Sequence, residues 1–278
     1  MILIMMFFVL PVCAGLVLSF SDFDIYALGD RARLRWVGFD NYRRLWDDPL
    51  VRAAFGNTLY FTLIGGPLSV VCSLGAALLL TRPGLRSPEW WRTALFVPVV
   101  TSLVAVAVVW RYFYHPQYGA LNRWLAAFGV PSVDWLGDPR LAMPAIMLMA
   151  VWKNFGFNMV IFIAGLQSIP TRLYEAAALD GARRWGQFRH VTLPMLAPTF
   201  VFVGVVTLIG YLQVFAEPYV MTQGGPADAT LTVALLMYRE GFRWWNLGYA
   251  AALALVLFGV ILFAALLQAA LGRRMSRS

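Results

Sequence analysis

Charge is what this sequence has least of. Only 13% of its 278 residues are Asp, Glu, Lys or Arg, whereas a soluble domain carries about 25%. Lysine is reduced to Lys153 alone among 22 basic residues. There are two cysteines, Cys13 and Cys72, both inside apolar stretches. That placement points to small apolar packing rather than a disulfide or a metal pair. The two histidines, His115 and His190, lie far apart with no Cys or Asp at ligand spacing, so no metal site is expected. No G-x-x-x-x-G-K-S/T phosphate loop is present, and ATP hydrolysis by this chain is not expected. No Ser/His/Asp or Cys/His constellation is visible, and no paired carboxylates sit where a proton relay would need them.

What the sequence does have is apolar length. Hydrophobic residues make up 60% of it, and they come in blocks. Six segments can cross about 30 Å of hydrocarbon at about 1.5 Å per residue: Ile2–Phe20, Asn57–Leu80, Thr93–Tyr114, Leu141–Gly165, Pro198–Tyr219 and Leu247–Leu271. The expected fold is all-α, a polytopic membrane bundle of six transmembrane helices in a single domain over 1–278. The first segment lacks a basic n-region and a small-residue cleavage site, so it is expected to be a retained helix rather than a signal peptide. The chain starts almost at the membrane, which leaves open a short basic tail ahead of Met1. Pro83-Gly84, Gly137-Asp138-Pro139 and Gly224-Gly225-Pro226 mark turns, while Pro67, Pro98 and Pro144 fall inside apolar helices, where neighbours can satisfy the freed carbonyls. The net charge of +8 fits arginines at membrane faces better than nucleic-acid binding.

One polar stretch interrupts this pattern. Residues 171–197 hold Leu173, Ala176, Ala177 and Asp180 at helical spacing behind Thr171, a candidate N-cap. Three alanines give a slim face. Gly181 is expected to end or bend that helix. Trp185, Phe188 and Val191 then recur three apart, flanked by Arg183, Arg184 and Arg189, until Pro194. Composition alone also allows an interfacial helix lying on lipid headgroups. The order Glu175-Ala176-Ala177, three residues, Gly181, nine residues, Val191-x-Leu193-Pro194 resembles the EAA loop of ABC importer permeases, with Val191 where isoleucine is commoner.

The resemblance runs through the chain. Asn57-Thr58-Leu59, Leu95-Phe96-Val97-Pro98, Trp152-Lys153 with Gly156-Phe157-Asn158, and Leu166-Gln167-Ser168-Ile169-Pro170 are similar to the same family. Tyr219 to Pro226 resembles the outer loop of MalF-like subunits. It implies a type I importer permease with a second permease of similar fold, two cytoplasmic ABC ATPase subunits and an extracytoplasmic solute-binding protein. It also implies that ATP and magnesium act on the ATPase, with no cofactor in this chain. The implied ATPase-docking residues are Glu175, Ala176, Ala177, Asp180, Gly181, Arg184, Phe188, Leu193 and Pro194. The membrane would be a bacterial or archaeal cell membrane, with lipid around the bundle and no nucleic acid.

Arginine counts on the two faces nearly tie. Ten lie on the side of residues 81–92, 166–197 and 272–278, and ten on the other side, where ten acids offset them. Density favours the first side as cytoplasmic, and the docking segment agrees, with both termini inside. Inside the spans, Lys153, Asn154, Asn158, Gln213 and Glu217 are polar, and Trp152 and Tyr211 add aromatic surface. They are candidates to line a cargo cavity, with amides and carboxylate for hydroxyls and rings for an apolar sugar face. Interhelical hydrogen bonds and a Lys153–Glu217 ion pair are the other reading. Arg111 is expected to snorkel to headgroups. The expected function is a permease subunit of an ATP-driven sugar importer. The alternatives are the same machinery carrying glycerol 3-phosphate or a polyol, and a secondary transporter driven by an ion gradient.

Overall fold

The computed structural model describes residues 2–24, 35–82 and 84–275. Pro83 of the expected Pro83-Gly84 turn, and Arg31, Arg33 and Arg277 of the orientation count, lie outside those residues, as do the side chains of Arg273 and Arg274. Among the described residues the chain is helical, with only two isolated bridges, Ser21–Trp36 and Asp24–Asn246. The helices are α1 (Met5–Ser19), α2 (Asp40–Asp47), α3 (Pro49–Leu80), α4 (Pro88–Val100), α5 (Leu103–Phe113), α6 (Ala120–Ala126), α7 (Ala142–Gln167), α8 (Thr171–Leu179), α9 (residues 184–195), α10 (Ala197–Leu212), α11 (Ala216–Met221), α12 (Val233–Tyr238) and α13 (Leu247–Met275).

Among the described residues four spans are each long and apolar enough to cross a membrane: α3, α7, α10 continued through α11, and α13. The expected first span is helical from Ile2 to Ser19, with Met5–Ser19 as its apolar part. The expected third, Thr93–Tyr114, is not one helix. It breaks after Val100 and turns by 96° into α5. Pro98 removes an N–H from the last turn of α4. Thr101 then leaves the helical region at ψ 150°, and its hydroxyl donates back to Pro98 O at 2.6 Å. The second span starts earlier than expected because the Asp48 side chain accepts from Leu50 N at 2.8 Å ahead of Pro49. An Asp N-cap followed by proline at the first helical position is a strong start signal.

Prolines elsewhere are absorbed without a break. Three of the four π-helical turns among the described residues, Met5–Val9, Phe61–Gly65 and Phe188–Thr192, sit two residues ahead of Pro11, Pro67 and Pro194. A proline ring crowds the carbonyl four residues back. That carbonyl belongs to Phe7, Leu63 or His190, inside each wide turn, and the wider turn relieves the clash.

Helix α7 is the axis of the bundle. Its most apolar window is 61% buried, against 22% for α13. Its N-terminal half packs Ile146, Met149 and Ala150 with Tyr114 and Tyr211. Its C-terminal half packs Met159, Phe162 and Ile163 with Ala77 and Val203. A third cluster joins Leu45, Val51 and Leu231–Leu236 to Tyr249 and Leu253. The polar residues of α7 fall between its two apolar halves.

Gly156 lets α4 lie directly on α7. A Cβ there would sit 2.4 Å from Leu95 O and 3.1 Å from Val99 Cγ2. Gly156→Ala is therefore expected to push the two helices apart and destabilise the fold by about 1–3 kcal/mol, as overpacking does. Thermal unfolding of the purified permease would show the drop. Gly75→Ala, where nothing lies within 4 Å, should leave the midpoint unchanged or raised.

Candidate functional site

A cavity of about 490 Å³ opens beside the middle of α7. Two breaks in the spans form its rim. Val99 and Leu103 flank the α4–α5 bend, and residues 213–217 span the link from α10 into the first turn of α11. Asn154, Phe157 and Asn158 project from α7, Thr207 and Tyr211 from α10, and Phe61 from the wide turn of α3. Non-helical backbone at membrane depth is tolerated where it is buried in protein or lines a cavity. Thr232 Oγ1 donates to Val214 O at 2.8 Å, which satisfies a carbonyl that the second break frees.

Five of the seven expected cavity residues line this space: Gln213, Asn158, Glu217, Asn154 and Tyr211. Asn154 and Asn158 are one turn apart and share the face. Asn158 Nδ2 donates to Thr207 Oγ1 at 2.9 Å. The Tyr211 hydroxyl neighbours Ser69 Oγ, and neither atom has a hydrogen bond within 3.5 Å. The Tyr211 ring packs on Phe61 at 5.1 Å. Glu217 is 8% exposed, and no cation comes within 4.0 Å of its carboxylate.

Lys153 and Trp152 are placed elsewhere. Lys153, 7% exposed, turns toward α4 and donates from Nζ to Val99 O at 3.3 Å. It makes no ion pair with Glu217. Trp152 packs on Trp110 with centroids 5.5 Å apart. Arg111 does not simply reach for headgroups; it donates to Val220 O at 3.2 Å. Sequence reasoning missed Thr207 and Phe61. Thr207 lies four residues before Tyr211 on α10, and that spacing was a usable signal. Phe61 enters through the π turn before Pro67, which no pattern of apolar residues announces.

The polar segment between α7 and α10 is a helix, a tight stop and a second helix. Pro170, not Thr171, is the N-cap of α8, and no side chain caps it. At its other end Gly181 has φ +79°. Gly181 N donates to Ala178 O at 3.0 Å and Ala182 N to Ala177 O at 2.8 Å. This paired closure needs the left-handed conformation that glycine adopts without strain. Tyr174 Oη and Thr192 Oγ1, 3.0 Å apart, tie α8 to α9. Glu175, Ala176, Asp180, Arg184 and Pro194 are exposed, while Ala177, Phe188 and Leu193 are half-buried. Leu179 and Trp185 are 90% and 69% exposed, large apolar side chains left open in a polar segment.

Residues 49–277 match the model of the family described as binding-protein-dependent transport system inner membrane component. The chain is 36% identical to the lactose transport system permease protein LacF of Rhizobium radiobacter, over 96% of this chain and 89% of that protein. It is 35% identical to the sulfoquinovosyl glycerol transport system permease protein SmoG of Agrobacterium fabrum, over 93% of this chain and 83% of that one. Its fold matches a chain of a bacterial ABC transporter involved in the import of the acidic polysaccharide alginate. The TM-score is 0.82 at 25% identity, over 98% of this chain and 92% of that chain.

The Lys153 contact lends itself to a test by magnitude. Helix α4 stops at Val100, so its last carbonyls lack helical N–H partners, and a cation there also meets the negative end of the helix dipole. An intramembrane charge costs about 2.5–3.5 kcal/mol, and an unpaired buried carbonyl about 1–3 kcal/mol. Lys153→Met removes the first cost and incurs the second, so the thermal midpoint of the purified permease should barely move. Lys153→Glu points a carboxylate at the same carbonyl and should lower it by several degrees. Equal drops for both variants would contradict the capping role.

Proposed function

The chain belongs to the family of binding-protein-dependent transport system inner membrane components, and from that premise we propose that it is the permease subunit of an ABC importer carrying a saccharide across the cell membrane. The observation that carries the reading is the pairing of two features on one rigid path. An exposed two-helix element leads through α9 and α10 directly to the rim of an intramembrane cavity whose largely apolar wall carries a few polar groups. The cavity offers amides, a hydroxyl, a carboxylate and aromatic rings, the groups that bind sugar hydroxyls and ring faces. The likeness to a lactose transport permease supports a saccharide cargo.

In this account a second permease of similar fold completes the cavity, and a loaded solute-binding protein docks on the outer loops. Two ATPase subunits, which bind ATP and magnesium, grip the α8–α9 element on the cytoplasmic side. Both termini of this chain then lie in the cytoplasm. Leu179 and Trp185 supply apolar contact, and the exposed carboxylates and guanidinium of Glu175, Asp180 and Arg184 supply charged partners. Closure of the ATPases pulls on α9, tilts α10 and turns the cavity outward. Reopening returns it to face inward, and cargo leaves. ATP enters only through the partner.

Gly181→Val tests the docking element without touching the bundle. No atom lies within 4 Å of the missing Cβ, but a β-branched residue at φ +79° is strained and would unwind the tight stop. The variant should keep its thermal midpoint within a few degrees, lose co-purification with the ATPases, and lose ATP-dependent uptake in proteoliposomes by about tenfold or more. Uptake driven by an ion gradient in vesicles without the ATPases would refute the importer reading.

A further inference from the structure

The spans of this chain contain two opposite charges that could meet cargo, Lys153 and Glu217, and the fold separates them. Lys153 and Asn154 are neighbours in sequence, so they point about 100° apart around α7. Asn154 faces the cavity. Lys153 turns to α4, where its ammonium is held by Val99 O at 3.3 Å behind the cavity wall. Glu217 faces the cavity, 8% exposed, hydrogen-bonded to no other side chain and with no cation within 4.0 Å. Among the described residues no Arg, Lys or His lines the space. The Glu217 carboxylate accepts from its own backbone N–H and feels the charge of Lys153, which leaves acceptor capacity on the cavity side that cargo hydroxyls can fill.

We propose that Glu217 restricts this importer to uncharged polyhydroxylic cargo: its carboxylate accepts hydrogen bonds from hydroxyls and repels carboxylate, phosphate and sulfonate groups. The proposal rests on the cavity being the saccharide path. It disfavours glycerol 3-phosphate as cargo.

The test reads the sign of the field in the cavity without knowing the cargo. In the assembled importer, with Cys13 and Cys72 replaced by alanine, Gln213→Cys places one thiol on the cavity rim. Its modification rates by a cationic trimethylammonium methanethiosulfonate and an anionic sulfonate methanethiosulfonate are compared, each normalised to a free thiol. We expect the cationic reagent to be favoured by about tenfold or more. Glu217→Gln should bring that ratio close to one, and Glu217→Asp should preserve it. In uptake assays the unmodified importer should favour neutral disaccharides over their matched uronates by a similar factor, and Glu217→Gln should narrow the gap. A ratio unchanged by Glu217→Gln, or uronates imported as fast as their neutral counterparts, would overturn the proposal. Failure of the importer reading looks different: uptake would lose its dependence on ATP while the charge ratio at Gln213→Cys stayed intact.

Discussion

Backbone amides and carbonyls in hydrocarbon have no water to bond, so each must find a partner within the protein. This requirement governs where the chain can depart from helix, and the cavity exists because it departs twice. At the first break the Thr101 hydroxyl turns back on Pro98 O and the Lys153 ammonium covers Val99 O. At the second, Thr232 reaches from outside the spans to Val214 O. Each partner is a single side chain reaching across from another element or turning back on its own. The broken ends are therefore anchored, and the space between them can stay open. Where no partner was needed, the chain widened a turn instead, as before Pro11, Pro67 and Pro194.

The apolar run lengths made most spans legible, because a helix that must cross hydrocarbon leaves a stretch of matching length. Gly181 was legible for a related reason: its left-handed turn suits glycine, and the residue stands at the end of a helical pattern. The 96° bend was not legible. Thr93–Tyr114 is uniformly apolar, and a proline alone does not decide the outcome. Pro98 precedes a break, Pro67 follows a π turn, and Pro144 sits in the first turn of α7 and does neither. The three outcomes depend on what neighbouring helices can satisfy, which is tertiary information.

The polar residues within the spans were visible as a set, but not by face. Lys153 and Asn154 differ by one position and by destination. Gly156, one turn on from Lys153, packs against the same α4 surface, and that seam fixes which side of α7 meets protein. Once α4 is docked there, Asn154 and Asn158 have only the cavity to face. Thr207 joins them because it supplies the acceptor for Asn158. Within the proposed function, the same geometry explains how force applied outside the bilayer reaches cargo. Leu196 joins α9 to α10 without a loop, and α10 runs about 24 Å before it ends at Gln213, on the cavity rim.

A cryo-electron-microscopy structure of the assembled importer with its cargo bound would test this account most directly. It should show cargo density between Glu217 and Asn158, with the α4–α5 bend intact and Lys153 still on Val99 O. Cargo held by Lys153, or a path that bypasses the space between the two helix breaks, would contradict it.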